Sequence, residues 1–586
     1  MALEGTGTDR ARDPDDRTPG TSPAATATSP PTSEAGGGLM RSSALMALGT
    51  TASRLTGFAR TLVLAAAVGT QLLGDSYNTA NTLSFIVYDL LLGGLMASVI
   101  VPFLVRRRAT DADGGQATEN RLLTGALLFL TAITAAAVLA AESLIGLYTG
   151  GFSDAQHEAA ILFGRYLLAQ ILFLGLSGLT SAMLNARHRF AAPAWTPVAN
   201  NLVIIAVGAA FLWLAGPHRT PESITAAQIA LLGAGTTAGA AIQALLLQYS
   251  LWRAGFRWRP RLDLKGSGLG EALRAAGWMF VLVCAMQAGF LLTANLANRA
   301  GARAVTEDGV GAGLTAYNYA YQLFQLPYAV IAVSVITVLL PRMSAHVVDR
   351  DWERVRADFS RGLRTSSVLL VPLSLALVVY AEPLCTLVFA RGSTSAADAR
   401  VIASVLAVFA LGLLPFTSYQ LLLRVFYATG DTRTPALLAI ANITVHALIA
   451  VPVYLLLPPR HVIMGIAAGF MLSYASGLLW GGLILSRRLG GLDARRITVT
   501  LLLLYSIAVP GAIAARAMQT VWFDGASGQL TAHVLGPLTG CALAAALYLT
   551  AGYLLRIAEV RELCAGIGAR LRALPARLLT RRRQRR

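Results

Sequence analysis

Residues 77–83 read YNTANTL, and residues 317–323 read YNYAYQL, at an offset of 240. Each stretch opens a long apolar run, and Pro102 and Pro341 close these two runs at an offset of 239. A second set recurs at an offset of 242, with Ala186, Pro193, Ala199 and Asn200 matched by Ala428, Pro435, Ala441 and Asn442. An offset that spans six apolar runs preserves their direction, so the repeat predicts two parallel lobes. Two lobes with a site between them are typical of transporters, although channels also contain repeats.

The composition places this repeat in a membrane. Hydrophobic residues make up 55% of the 586 residues, and charged residues make up 13%. A soluble protein has about 25% charged residues. The mean hydropathy is +0.59. The sequence therefore predicts an all-α polytopic membrane protein, because helices satisfy their own backbone hydrogen bonds in lipid.

Fourteen apolar runs are long enough to span a bilayer. They are residues 42–68, 79–105, 122–148, 159–184, 193–215, 226–251, 272–298, 314–340, 363–390, 399–427, 435–457, 462–486, 497–520 and 533–556. The predicted organisation is a disordered cytoplasmic tail (1–40), an N-lobe with spans 1–6 (41–252), a cytoplasmic linker (253–270), a C-lobe with spans 7–12 (271–490), spans 13 and 14 (491–556), and a basic cytoplasmic tail (557–586).

The basic residues predict the orientation. Lys and Arg favour the even-numbered connections over the odd-numbered ones by roughly four to one. This alternation predicts that both termini are cytoplasmic. The C-terminal tail adds ten arginines from Arg556 onward, and a cluster of this kind meets anionic membrane lipid more readily than nucleic acid. The amphipathic connection 341–364 is predicted to lie along the inner membrane surface.

Several protein classes are excluded or unsupported. Lys265 is the only lysine and no glycine precedes it, so the chain has no Walker A loop. The four cysteines lack the spacing of metal ligands and are predicted to be packing residues: Cys284, Cys385, Cys541 and Cys564. No catalytic constellation emerges, so the chain is predicted not to be an enzyme.

Ionisable side chains inside a membrane are costly and mark candidate sites. Arg54 and Arg60 lie in the first span, Asp75 lies at the junction of spans 1 and 2, and Asp89 lies within span 2. Arg54 and Asp89 could form an ion pair that holds helices together. Alternatively, at least one of the two arginines faces a polar cavity.

Polar side chains of the C-lobe leave further alternatives open. Gln322 and Gln325 precede Pro327 in span 8, where they either join helices or contact a substrate. Asn442 and His446 share one face of span 11 at i and i+4. They are either a cation or proton site or a satisfied pair within the bundle core.

The motifs resemble those of the MurJ (MviN) family, the lipid II flippases of peptidoglycan synthesis. SRLTGFAR at 53–60 resembles the first-helix signature of this family, and GDSY at 74–77 resembles the start of its second helix. LNARHRF at 184–190 and FYA at 426–428, with their following prolines, resemble two of its turns. YDLLLGG at 88–94 is similar to the actinobacterial branch. The resemblance covers about residues 40–520.

This resemblance implies a two-lobed bundle whose central cavity opens alternately to each side. It implies that the first-helix arginines meet the pyrophosphate of the substrate. Better-known members have an arginine, a glutamate and an arginine where this chain has Tyr88, Gly93 and Gln322. The expected substrate-binding residues are Arg54, Arg60, Asp75, Asn81 and Gln322.

The leading hypothesis is a plasma-membrane flippase that carries lipid II from the inner to the outer leaflet for cell-wall synthesis. Two alternatives stay open: an exporter of another polyprenyl-linked glycan or of drugs, and a non-transporting scaffold for cell-wall enzymes. Lipid II and membrane lipids are the expected partners, and partner proteins of cell-wall synthesis stay open, whereas nucleic acid is not expected. No cofactor or metal is expected, and a coupling monovalent ion is left open.

Overall fold

The computed structural model describes residues 34–90, 100–261, 277–523 and 531–565. These residues form helices and connecting loops without any β-strand, which confirms the predicted fold class. Among them, ten helices are long and apolar enough to cross a membrane, or twelve if each of two bent pairs is one span. The chain is a multi-pass membrane protein.

The helices follow the predicted spans in order. The first lobe contains α1 (Glu34–Val68), α2 (Leu72–Tyr88), α3 (Val101–Thr110), α4 (Gln116–Leu139), α5 (Ala141–Gly146), α6 (Asp154–Leu167), α7 (Gln170–Ala186), α8 (Ala191–Ala215) and α9 (Ala226–Arg253). The second lobe contains α10 (Gly277–Asp308), α11 (Leu314–Pro327), α12 (Val333–Val348), α13 (Trp352–Val379), α14 (Ala381–Phe389), α15 (Ala396–Leu411), α16 (Leu413–Ala428), α17 (Arg433–Leu456) and α18 (Pro459–Leu489). The last two long helices are α19 (Ala494–Met518) and α20 (Gly536–Leu554).

The ends of the chain differ from the predicted boundaries. Helix α1 begins at Glu34, inside the segment that was predicted to be disordered up to residue 40. An established helix extends at low cost, because each added residue gains one hydrogen bond. Residues 1–33, 262–270 of the predicted linker and 566–586 of the predicted tail lie outside the described residues.

The two lobes use the same helix pairings. Helix α1 packs on α8 as α10 packs on α17, and α2 packs on α6 as α11 packs on α15. Helix α4 packs on α7 as α13 packs on α16. These equivalent pairs are the structural counterpart of the sequence repeat. Within the described residues, α19 and α20 pack on each other and against α13.

Two spans are bent. Helix α11 ends at Pro327 and continues through a π-helical turn, Tyr328–Ala332, with a bend of 50° before α12. A proline removes a backbone donor and disturbs the helix around it, as the sequence predicts here. Helices α15 and α16 meet at 51° around Gly412.

Part of the apolar face of the amphipathic connection 341–364, whose position along the inner membrane surface stays a prediction, packs against protein. Met343 and Val355 are fully buried, and Phe359 is nearly so. They join a cluster with side chains of α16 and α18, because the connection is the paired ends of α12 and α13. Beyond α20, residues 558–565 are helical, and Glu559 forms an ion pair with Arg364 of α13.

Candidate functional site

The lobes meet at the end of the molecule that holds the C-terminus of α1 and the starts of α2 and α11. Asp75, in the first turn of α2, is 1% exposed. Its carboxylate accepts a hydrogen bond from the backbone amide of Thr315 at 2.8 Å. Thr315 lies in the first turn of α11, so an acid of the N-lobe caps a helix of the C-lobe. A Cβ atom at Gly301 or Gly313 would overlap this carboxylate.

Two asparagines extend the contact. Asn78 donates to the Thr315 hydroxyl at 3.2 Å. Asn298 of α10, which is fully buried, donates to the Thr79 hydroxyl at 3.0 Å and to the Tyr148 carbonyl at 2.7 Å. These bonds all join one lobe to the other. We call this contact the interlobe seal, and it is formed by residues 65–79, 147–151, 295–315 and 391–394.

Three helices converge next to the seal. Arg60 of α1 is half-buried, and its guanidinium lies close enough to the Tyr77 and Tyr319 hydroxyls to interact with them electrostatically. One residue further, the Thr61 hydroxyl donates to the side-chain oxygen of Gln322 at 2.7 Å. Among the described residues, Arg60 has no carboxylate partner. A half-buried cation without a counter-charge is costly in a membrane, so this position favours an anionic ligand.

Arg54 lies about 9 Å before Arg60 along α1, at 1.5 Å per residue. Its side chain is exposed, and so is that of Asp89 in the second span. Arg54 and Asp89 form no ion pair in the structure. The helix-holding ion pair that the sequence left open is therefore absent from this conformation. The exposed Arg54 has no ion-pair partner among the described residues.

The remaining predicted substrate residues separate into two groups. Asp75 and Gln322 lie at or beside the seal with Arg60. Asn81 instead accepts a hydrogen bond from the Gln170 amide at 3.2 Å, which joins α2 to α7 within the N-lobe. Tyr88 is half-buried at the end of α2, and Gly93 lies outside the described residues.

Asn442 and His446 lie within the C-lobe, away from the seal. With its amide oriented to satisfy its neighbours, Asn442 donates to the carbonyls of Leu438 and Ser473 at 3.2 and 3.1 Å and accepts from the Tyr419 hydroxyl at 3.3 Å. His446 is 3% exposed. Its Nε2 atom lies 2.9 Å from the hydroxyl of Thr293 in α10, and its Nδ1 atom has no hydrogen-bond partner among the described residues.

The Asn442 contacts are those expected of a packed helix pair, while His446 keeps one ring nitrogen available to a proton. In the part of the chain that the structure describes, no group of three His, Cys, Asp or Glu side chains is arranged to hold a metal ion.

Several residues of the seal were not predicted from the sequence. Asn298, Ser393 and Thr394 all make bonds across it. The sequence contains only a weak indication of this contact between loops. Gly69 and Gly392 lie in short loops on the same predicted side of the membrane, and glycines permit close approach of two backbones.

The family model described as "Lipid II flippase MurJ" matches residues 64–533. The chain belongs to the MurJ family. The matched range begins after Arg60, so the roles of Arg54 and Arg60 depend on the geometry and on the motif around them.

Individual MurJ proteins support the assignment. A "Probable lipid II flippase MurJ" of Rhizobium meliloti is 28% identical over 413 residues, which cover 69% of this chain and 73% of that protein. The counterpart of Synechocystis is 27% identical over 454 residues, which cover 77% and 82%. The "Lipid II flippase MurJ" of Burkholderia cenocepacia is 28% identical over 405 residues, which cover 67% and 74%.

Solved structures show the same fold. A structure titled "Lipid II flippase MurJ, inward closed conformation" aligns with a TM-score of 0.69 at 17% identity, over 89% of this chain and 99% of its own. An inward-facing transporter of the MATE family aligns with a TM-score of 0.58 at 16% identity, over 74% and 95%. The fold of this chain is therefore similar to that of the MATE transporter.

Proposed function

We propose that this chain is a flippase that moves lipid II from the inner to the outer leaflet of the plasma membrane for cell-wall synthesis. The observation that carries the proposal is the one-sided contact between the lobes. Every hydrogen bond between lobes that the structure describes lies in the seal or within about two turns of it. A bundle closed at one end suits alternating access.

The charge next to the seal suits the head of the substrate. Lipid II joins a disaccharide peptide to a polyprenyl chain through a pyrophosphate. Arg60 has no carboxylate partner within the described residues, and Arg54 is exposed on the same helix. Guanidinium groups bind phosphate oxygens through paired, charge-assisted hydrogen bonds. In this proposal both arginines hold the pyrophosphate while the lipid tail stays among membrane lipids.

The distribution of arginine gives the direction. Since Lys and Arg concentrate in the even-numbered connections, both termini are assigned to the cytoplasm and the seal to the outer side. The conformation described above is then the inward-facing one.

A proton bound at His446 is the coupling ion that best suits this chain. The described contacts of the His446 imidazole include no carboxylate that could hold a metal cation beside it. Proteins of cell-wall synthesis that use lipid II are proposed partners.

A replacement experiment tests the proposal. The chain is expressed in a bacterium whose own flippase is depleted, and lipid II in each leaflet is measured by extraction and by its accessibility to an external enzyme. We expect growth to be restored and lipid II to reach the outer leaflet. Lipid II that accumulates inside, despite normal membrane levels of the chain, would contradict the proposal.

Two other outcomes point to the alternative functions. Accumulation of a different polyprenyl-linked glycan after loss of the chain from its own host would favour a sister exporter. Normal flipping with mislocalised cell-wall enzymes would favour a scaffold.

A further inference from the structure

The loop between α14 and α15 caps the C-terminus of α1. The last four carbonyls of a helix have no partner within it. Here the Ala66 carbonyl accepts from the Ser393 backbone amide at 2.8 Å. The Ala67 carbonyl accepts from the Ser393 hydroxyl at 3.0 Å, and the Ala65 carbonyl accepts from the Thr394 hydroxyl at 2.8 Å. The Ala65 carbonyl also accepts from the Gly69 backbone amide at 3.0 Å. The opposite lobe therefore adds a hydrogen bond to three of these four carbonyls and supplies the described partner of two, Ala66 and Ala67.

The loop fits closely against the helix end. Gly392 has a φ of +59°, and a Cβ atom there would overlap the Ala66 carbonyl oxygen. Gly69 has a φ of +72°, and a Cβ atom there would lie 2.8 Å from the Ser393 carbonyl oxygen. Both positions need a residue without a side chain, for backbone conformation and for space. Thr394 is 2% exposed, so water does not replace its bond in this conformation.

The Ser393 hydroxyl also joins a third segment. While it donates to Ala67, it accepts from the backbone amide of His218 at 2.9 Å. His218 lies in the loop between α8 and α9 of the N-lobe. One hydroxyl thus ties the C-lobe loop to two separate N-lobe elements.

The caps are reciprocal between the lobes. Asp75 of the N-lobe caps the start of α11, and Ser393 with Thr394 of the C-lobe caps the end of α1. When the lobes part at this end, both helix ends lose their partners. Separation therefore costs these hydrogen bonds until water replaces them.

We propose that Ser393 and Thr394 form a latch on α1 that sets the balance between the sealed and unsealed conformations of the transport cycle. They are positioning residues, since their bonds act on the end of the helix that carries Arg54 and Arg60. The latch rests on the proposed alternating access but not on the identity of the cargo.

A thiol-labelling experiment tests the latch. Thr70, which is fully buried in the seal, is replaced by cysteine in the full chain. Labelling by a membrane-impermeant reagent from the outer side is measured, with the chain lacking this cysteine as the blank. In this background, the double variant Ser393→Ala/Thr394→Val should label about thirtyfold faster, as expected for the loss of three hydrogen bonds at about threefold each. Thr394→Ser keeps the hydroxyl and should label at the parental rate.

Two control variants separate the latch from a general effect on the loop. Ser395→Ala removes the N-cap of α15 without a bond to α1, and Ser404→Ala removes a bond to Val401 inside α15. Both should label at the parental rate. Unchanged labelling of the double variant, or equally fast labelling of Ser395→Ala, would overturn the latch.

If the double variant does not reach the membrane, Thr394→Val alone is measured, with about a threefold increase expected for one bond. No increase there overturns the proposal as well. Failure of the parent chain to move lipid II, together with faster labelling of the latch variant, would contradict the proposed function and leave the latch intact.

Discussion

Arginine side chains of α1 define the site at the scale of single residues. Arg60 lies beside Tyr77 and Tyr319 without a carboxylate partner in the described residues, whereas Arg364 in α13 is paired with Glu559. A paired arginine holds a structure together, and an unpaired one next to an interlobe contact is available to an anion. This contrast distinguishes ligand-binding arginines from structural ones in the same chain.

Arg54→Ala should abolish complementation of a flippase-depleted strain. The level of the chain in the membrane should stay near normal, because the exposed Arg54 forms no described ion pair whose loss would unfold the bundle. Arg54→Lys should rescue poorly, since one ammonium group does not reproduce the planar fork of a guanidinium. Growth and immunodetection of the membrane fraction measure both effects. Arg165, which is exposed on α6, provides the matched control, and Arg165→Ala should complement. Full growth of Arg54→Ala at native expression would remove Arg54 from the site.

At the scale of helices, α11 connects the seal to the rest of the C-lobe. Its first turn is capped by Asp75, Gln322 bonds to Thr61 across the lobes, and Pro327 ends the regular helix. One side of α11 therefore faces a contact that must break during alternating access, while Tyr317, Tyr321 and Phe324 pack on Phe409 inside the C-lobe. Gln325 is half-buried next to Tyr321 of that set, and no hydrogen bond to the N-lobe is described for it.

A cysteine in place of Gln322 should react with a polar thiol reagent in one conformation only, and substrate should change its rate. Its bond to Thr61 crosses the lobes, so its exposure depends on their separation. A cysteine in place of Gln325, three residues further along α11, is the matched control and should react at a rate that does not depend on substrate. Labelling of both positions in vesicles, with and without lipid II, measures the difference. Equal behaviour of the two cysteines would make Gln322 a packing residue.

The sequence predicts α11 but not its partners. Its apolar length, the repeat with α2 and the break at Pro327 are local properties, and the structure confirms them. The contacts of Asp75 with Thr315 and of Thr61 with Gln322 join residues that are 240 and 261 positions apart, so only the packing of the lobes brings them together. Ser393 and Thr394 resemble the ordinary polar residues that precede a helix N-cap, and nothing local identifies their bonds to α1.

At the scale of the whole molecule, the repeated pairings make each lobe a unit that can move against the other. Asn442 and His446 illustrate this, because their described contacts lie within the C-lobe, whereas the bonds of the seal all cross between lobes. Movement between lobes therefore changes the environment of Arg54 and Arg60 more than that of the C-lobe core. The sequence contains no Walker A loop, and we propose that the membrane potential supplies the energy for this movement.

Membrane potential is a sufficient source for a charged cargo. The pyrophosphate carries about two negative charges, and an inside-negative potential favours their outward movement. At about 2.3 kcal/mol per charge per 100 mV, full transfer of both charges contributes about 4–5 kcal/mol, an upper bound that bound counter-ions reduce. The same field draws the emptied site inward, because it then exposes the positive charges of Arg54 and Arg60.

Reconstituted vesicles should therefore flip lipid II faster when a potential of cellular sign is imposed, and more slowly when an ionophore collapses it. The rate of outward flipping is measured by the accessibility of the pyrophosphate-linked head to an external enzyme. Vesicles that hold the Arg54→Ala chain give the background rate, and a potential of reversed sign should slow the wild-type chain. A rate that ignores voltage but requires added ATP would contradict this mechanism.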